Sequence, residues 1–254
     1  MLRIQNYVRP QSLEEAYQLC QKKGHMVLGG MLWLKMQKRS VHTAIDLQDL
    51  GLNQIEETES EYRIGAMVTL RDLELHPALN ALTQGAMADS VKHIVGVQFR
   101  NTATVGGSIF GRFGFSDVLT VFLALDTYVE LYKGGIVSLK EFAKMKYDND
   151  ILVRLIVKKT PVKIVYTAMR NQRTDFPVLT CAVSLINGEY RAAVGARPSR
   201  AILICSNEME NAGAFAEYVA KNVPTGDNLR ASAAYRTHLV KVLTERAAAE
   251  LGGM

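Results

Sequence analysis

The chain predicts an α+β fold, and three observations lead there. Helical stretches opened by capping residues fill the region before residue 150, strand-like runs dominate after it, and glycine pairs at 29–30 and 106–107 interrupt apolar segments. Strands gathered in one block, without a regular βαβ alternation, point to an antiparallel sheet packed on helices. At 254 residues, 48% hydrophobic and 22% charged, the chain can bury a sizeable core as one large domain or two small ones.

The elements follow in order. Ser12 and Glu15 stand at capping-box spacing, with Leu13, Ala16, Tyr17, Leu19 and Cys20 at helical intervals and Gly24 where a C-cap falls. That predicts a helix of about three turns. The short apolar run 26–28 breaks at Gly29-Gly30, residues 32–36 read as helix, and "HTAIDL" alternates like a strand. The stretch "NQIEETESEYRIGAMVTLRDLE" reads as a hairpin followed by a helix opening at Thr69, with Asp72 in capping-box position, and the helical pattern continues to about 95. Ser116 is the expected N-cap of a helix over 116–125, with Asp117 in the first turn where a carboxylate suits the dipole. "TYVELYKGGIVSL" reads as strand, Gly-Gly turn and strand, and Ser138 with Glu141 opens one more helix. "ILVRLIVKK", "VKIVYTAMR" and "VLTCAVSLINGEYRAAVGA" are strand-like, and Asn187-Gly188 is the strongest short hairpin signal in the chain. Helices near 207–221 and 229–250 close the chain, the Ala-rich tail "ERAAAELGGM" being a fraying end.

Several function classes drop out. The net charge of +5 is spread over lysines and arginines that often sit beside acids, so no nucleic-acid stripe forms. Cys20, Cys181 and Cys205 lie far apart without CxxC spacing, so neither a disulfide framework nor a cysteine-ligated cluster is expected. His25, His42, His76, His93 and His238 lack metal-ligand spacing and read as surface or capping residues, and no GxSxG is present. No apolar leader or membrane span is expected, which reads as a cytoplasmic protein.

The glycine pairs carry the remaining chemistry. A pyrophosphate needs several N–H donors, and glycine lets backbone approach by removing the Cβ and permitting positive φ. Neither pair extends to GxGxxG, so a Rossmann or P-loop reading fails on spacing. A single Gly pair fits a tight turn as well as a phosphate site.

Eight segments in order, "RPQSLEEAYQL", "VLGGMLWLKM", "AIDL", "YRIGAMVTL", "FRNTATVGGSI", "SDVLTVFLALDTYVEL", "RTDFPVLTCAVS" and "SAAYRTHLVKVLTERA", together resemble the FAD-binding medium subunit of the molybdenum hydroxylases, the xanthine, nicotinate and carbon monoxide dehydrogenase type. The resemblance implies a vanillyl-alcohol-oxidase/PCMH-type FAD-binding domain over 1–155, in two α+β subdomains of about 1–52 and 53–155, followed by a smaller C-terminal domain of the CO-dehydrogenase-flavoprotein type over 156–254. It implies that Met26, Val27, Leu28, Gly29, Gly30, Met31, Leu32 and Trp33, with Thr104, Val105, Gly106, Gly107 and Ser108, wrap the FAD diphosphate. Asp117 matches an acid that accepts hydrogen bonds from the cofactor's hydroxyls, Ile94 a residue near the isoalloxazine, and Leu152 a residue lining the flavin. The implied partners are a molybdopterin-binding large subunit and a [2Fe-2S] small subunit, with NAD+ or another acceptor taking the electrons and no side chain acting as acid or base.

The chain departs from this pattern at Met31-Leu32, where a hydroxyl or carboxylate is usual, at Ser108 for Asn, at Thr167 for a lysine, and in "GRFGFSD", whose Arg112 reads by default as solvated. Trp33 reads as a core residue of a helix. A flavin-less scaffold, a binder of another phosphate ligand and a self-sufficient FAD oxidase stay open as alternatives.

Overall fold

A computed structural model gives the architecture and describes residues 1–207 and 210–252. Its first layer is a parallel sheet of β1 (Arg3–Val8), β2 (His25–Leu28) and β3 (Ser40–Asp46) in the order β1-β3-β2, with α1 (Leu13–Cys20) packed on it. The Ser12 hydroxyl accepts from the Glu15 N–H at 3.1 Å, satisfying one orphan donor of the first turn, and the Glu15 carboxylate accepts from the Gln11 N–H just before the cap at 2.8 Å. Ala16 and Cys20 of α1 meet Ile45 and Leu47 in the core beneath. The helix expected over 32–36 is reduced to one 3-10 turn, Leu34–Met36. Met31, at φ 60°, takes the left-handed conformation just before it and interrupts any longer helix.

The second layer is an antiparallel sheet in the order β4-β5-β8-β6-β7. It comprises β4 (Ile55–Glu57), β5 (Glu61–Gly65), β6 (Thr127–Leu131), β7 (Gly135–Ser138) and β8 (Leu152–Lys158). Between β5 and β6 run α2 (Leu70–Leu75), α3 (Pro77–Leu82), α4 (Ala86–Val91), α5 (Val97–Arg100), α6 (Val105–Phe110) and α7 (Asp117–Leu123), and α8 (Leu139–Phe142) follows β7. Tyr62, Ile64, Val129, Leu155 and Val157 enter the main core while Arg63, Glu130, Arg154 and Lys158 face outward, the period-two pattern of a half-buried sheet. The helix expected from Thr69 to about 95 is three short ones. Thr69 and Asp72 do form the capping box, but Pro77 starts a new helix capped by the His76 ring, and Gly85, at φ 88°, starts the third.

The third layer is an antiparallel sheet in the order β12-β11-β10-β9, built from β9 (Val162–Arg170), β10 (Pro177–Ile186), β11 (Glu189–Gly195) and β12 (Ile202–Ser206). Asn187 and Gly188, at φ 51° and 82°, close the β10–β11 hairpin, the signature of a turn with two left-handed residues. Ala182 and Ile186 of β10 belong to the main core, whereas Val178, Leu179, Cys181 and Val183 pack on α9 (Ala212–Asn222) and α10 (Ala233–Gly252). This sheet is therefore a wall shared by two cores. The helix expected near 207–221 begins at Ala212, because Asn211 caps it through the Ala214 N–H; residues 208 and 209, like the tail's 253 and 254, lie outside the described residues. Arg236 of α10 is fully buried yet satisfied, donating to the Val178, Gly226 and Ala231 carbonyls and to Asn228 Oδ1.

Candidate functional site

The two glycine loops converge. The first leaves the C-terminal end of the parallel strand β2, the usual side for ligands in parallel sheets. An ideal Cβ on Gly29 would lie 2.8 Å from Thr104 Oγ1 and 3.4 Å from the Gly107 Cα, and one on Gly30 would lie 1.9 Å from the Thr102 carbonyl oxygen. A side chain at Gly30 would therefore prise the loops apart. Gly106 is equally constrained, since its Cβ would stand 2.6 Å from the Ala66 carbonyl of the sheet beneath.

The donors of the two loops are used differently. The Val105, Gly106 and Ser108 N–H groups donate to Val68, Ala66 and Thr104 carbonyls, and the Gly107 N–H donates to Thr104 Oγ1 at 3.1 Å. These bonds cap α6 and tie it to the segment between β5 and α2. The N–H groups of Gly30, Met31, Leu32 and Trp33, by contrast, have no partner among the described residues. Four consecutive open donors suit an anionic group, since such amides rarely stay unpaired without water or a ligand. The second loop's glycines serve close packing, and the first loop supplies the free donors.

A cavity of about 680 Å³ lies against this junction, within the usual range of roughly 300–1,000 Å³ for small-molecule sites. Met26 to Trp33 all line it, as do Ile94, Thr104, Gly106, Gly107, Ser108, Asp117 and Leu152. Val105 stands apart: its side chain is fully buried in the main core. Thr167 is not part of the lining, whereas Arg170, three residues further along the same strand, is.

Asp117 sits at the cavity wall and is 4% exposed. Its Oδ1 accepts from the Tyr166 hydroxyl and from Arg170 Nη2, both on β9. Burial pushes the Asp117 carboxyl up to about 6, against the pull of Arg170, Tyr166 and its own main-chain N–H. Burial and the facing carboxylate raise the Tyr166 phenol well above its ordinary value. Arg170 Nη1 also donates to the Asp175 carbonyl at 2.6 Å, so one guanidinium joins the α7 carboxylate to the β9–β10 loop.

Phe113, Phe115 and Phe176, absent from the sequence expectation, complete the wall around Trp33. Trp33 is half-buried outside any helix, its ring 5.1 Å from Phe115, 5.3 Å from Phe176 and 6.2 Å from Phe113. Phe113 and Phe115 stack at 5.2 Å. The alternating Phe residues of "GRFGFSD" and the Phe of "RTDFP" carried the only local hint, and their meeting depends on three distant segments. Arg112 corrects the solvated reading: it is 1% exposed, with its Cζ 3.9 Å from the Phe142 ring centroid, 4.8 Å from Tyr147 and 5.4 Å from Phe110. Its Nε donates to the Phe142 carbonyl at 3.1 Å while Nη1 and Nη2 face aromatic surface without hydrogen-bond partners. Among the described residues no group of three or more metal-ligating side chains forms, and no helix is long and apolar enough to cross a membrane.

The chain is similar to known proteins in sequence and in fold. Over 250 residues the chain is 27% identical to the uncharacterized protein YgfM of Escherichia coli (strain K12), covering 94% of this chain and 93% of that one. It is 26% identical to the nicotine 6-hydroxylase medium subunit of Paenarthrobacter nicotinovorans, covering 97% and 96%. Its fold matches a chain of carbon monoxide dehydrogenase from Hydrogenophaga pseudoflava with a TM-score of 0.85 at 23% identity, covering 96% of each chain. Residues 2–160 match the family described as the FAD binding domain in molybdopterin dehydrogenase. The open amides, the loop seat and the cavity fit a dinucleotide, and the chain belongs to that family: it is an FAD-binding oxidoreductase subunit of the molybdenum hydroxylase type.

Proposed function

We propose that this chain is the electron-transfer subunit of a cytoplasmic molybdenum-containing hydroxylase, assembled with a molybdopterin-binding large subunit and a [2Fe-2S] small subunit. Electrons reach it from the iron–sulfur subunit and leave to NAD+ or another acceptor. The observation that carries this reading is the row of open N–H groups from Gly30 to Trp33, held against the cavity by the contact of Gly29 and Gly30 with residues 102–107. The three free cysteines fit a reducing compartment.

The residues divide the work. Gly30 to Trp33 would hold the diphosphate through main-chain donors, which replaces the side-chain ligand lost at Met31-Leu32. Asp117 would accept from a sugar hydroxyl, with Ile94 and Leu152 as apolar lining. When bound, the flavin would supply the conversion of single electrons into a two-electron transfer, and the protein supplies position, exclusion of water and electrostatics. No side chain has to move a proton. The domain division belongs to the same reading. The division itself is supported by two sheets sharing the cavity on one side and the separate four-stranded sheet on the other, but a boundary at 155 would cut β8, which runs to Lys158, so the division falls between Lys158 and Val162, where β9 starts.

The test is purification of the tagged chain from its native host with its bound partners, followed by a visible spectrum and anaerobic addition of candidate reductants. A flavin spectrum that bleaches only when the molybdopterin and iron–sulfur subunits are present supports the proposal. A colourless chain that stays colourless with added FAD supports the scaffold reading instead.

A further inference from the structure

Two segments distant in sequence, α7 and β9, meet at one buried carboxylate. Asp117 opens α7, Tyr166 stands at the middle of β9, and Arg170 ends that strand. The Asp117 and Arg170 side chains are 5% and 9% exposed. Both contacts from β9 fall on Oδ1. That leaves Oδ2 without a side-chain partner, on a residue that lines the cavity. A carboxylate buried this deeply would drift toward its neutral form unless cations and donors hold it charged.

We propose that Tyr166 and Arg170 are positioning residues for the cofactor: they fix Asp117 through Oδ1, so that Oδ2 is presented, ionised and in one orientation, to a hydroxyl of the bound dinucleotide. This rests on the FAD reading above. It also makes the C-terminal sheet part of the cofactor site: β9 holds Asp117, and Arg170 itself stands in the cavity lining. Arg170 Nη1, bonded to the Asp175 carbonyl, extends the effect to the loop carrying Phe176, which packs on Trp33 and Phe115. Sequence spacing gives no sign of this link: Asp117 and Arg170 are 53 residues apart.

The experiment is a double-variant cycle read as the FAD dissociation constant of the purified apo chain by fluorescence or calorimetric titration. Asp117→Asn and Arg170→Gln should each raise the Kd by about tenfold or more, the order expected for one charge-assisted hydrogen bond. Arg170→Gln in the Asp117→Asn background should add almost nothing, since its route to the cofactor is already cut. Arg170→Lys, which keeps the charge, should restore most of the affinity. Tyr166→Phe should weaken binding by about fivefold and likewise lose its effect beside Asp117→Asn. If Arg170→Gln alone fails to fold, the Asp117→Asn/Arg170→Gln pair, which buries no charge, and Tyr166→Phe still complete the comparison. Additive effects, or variants that bind FAD as tightly as the wild type, overturn the inference. A wild-type chain that takes up no FAD removes the functional reading itself, a result distinguishable from the others.

Discussion

Gly30 and Thr102 are so close that the Cβ of any other residue at position 30 would lie 1.9 Å from the Thr102 carbonyl oxygen. Backbone cannot yield as a flexible side chain does, so the contact is a steric requirement for glycine. Gly30→Ala is expected to destabilise the apo chain by about 1–3 kcal/mol through overpacking and to move the open amides away from the cavity. Urea unfolding of the apo protein measures the first effect and FAD titration the second.

Trp33 is the single tryptophan of the chain, directly at the end of the open-amide row and ringed by Phe113, Phe115 and Phe176. Its fluorescence should therefore be quenched as FAD fills the cavity, saturating at one equivalent, while Trp33→Phe should bind FAD with a similar Kd and give no signal. An emission spectrum that ignores saturating FAD would place the ligand away from the first glycine loop.

Arg112 depends on aromatic faces and one carbonyl for its stability in the interior, and burial holds its guanidinium below the ordinary pKa. Arg112→Ala should destabilise the chain by about 2–4 kcal/mol by leaving a hole among Phe110, Phe142 and Tyr147. Arg112→Met, similar in reach and without a charge to desolvate, should lose less than about 1.5 kcal/mol. Chemical denaturation of both variants gives the comparison; equal losses would mean that the charge, and not the packing, carries the contribution.

Asp117 sets a pH dependence with a definite sign. Its carboxyl ordinarily titrates at 3.8 and burial raises it to about 6 in the fold. A group raised in this way stabilises the folded chain below its unfolded value and loses that contribution as pH rises through the folded one. Binding runs in the opposite direction, because ligand hydroxyls donate to the ionised form. FAD affinity should strengthen as pH rises through about 6, with Tyr166 and Arg170 facing the carboxyl, Cys181 beside Tyr166, and the Asp175 carbonyl holding the far side of Arg170. Asp117→Asn should flatten the profile of Kd against pH from about pH 5 to about pH 8.

What was legible in the sequence was local. Ser12, Thr69, Ser116 and Ser138 cap helices where their spacing predicts, because a capping bond joins residues three apart. Asn187-Gly188 closes its hairpin for the same reason. Pro77 and Gly85 also spoke locally, but the apolar periodicity running through them masked the breaks. The burial of Arg112, the Trp33 cluster and the hold of β9 on Asp117 depend on tertiary contacts across 30 to 53 residues or more, which no short-range pattern encodes. The glycine pairs were legible as close-approach residues, but the structure divides their work: Gly106 and Gly107 belong to a capped helix with their N–H groups bonded, and the amides from Gly30 to Trp33 are without a partner among the described residues.

The most direct measurement is a calorimetric titration of the purified apo chain with FAD, run beside Gly30→Val. The account predicts one FAD per wild-type chain and no detectable uptake by the variant, whose far-UV circular dichroism stays native. A wild-type chain that binds no FAD, or a folded Gly30→Val chain that binds it equally well, would contradict it.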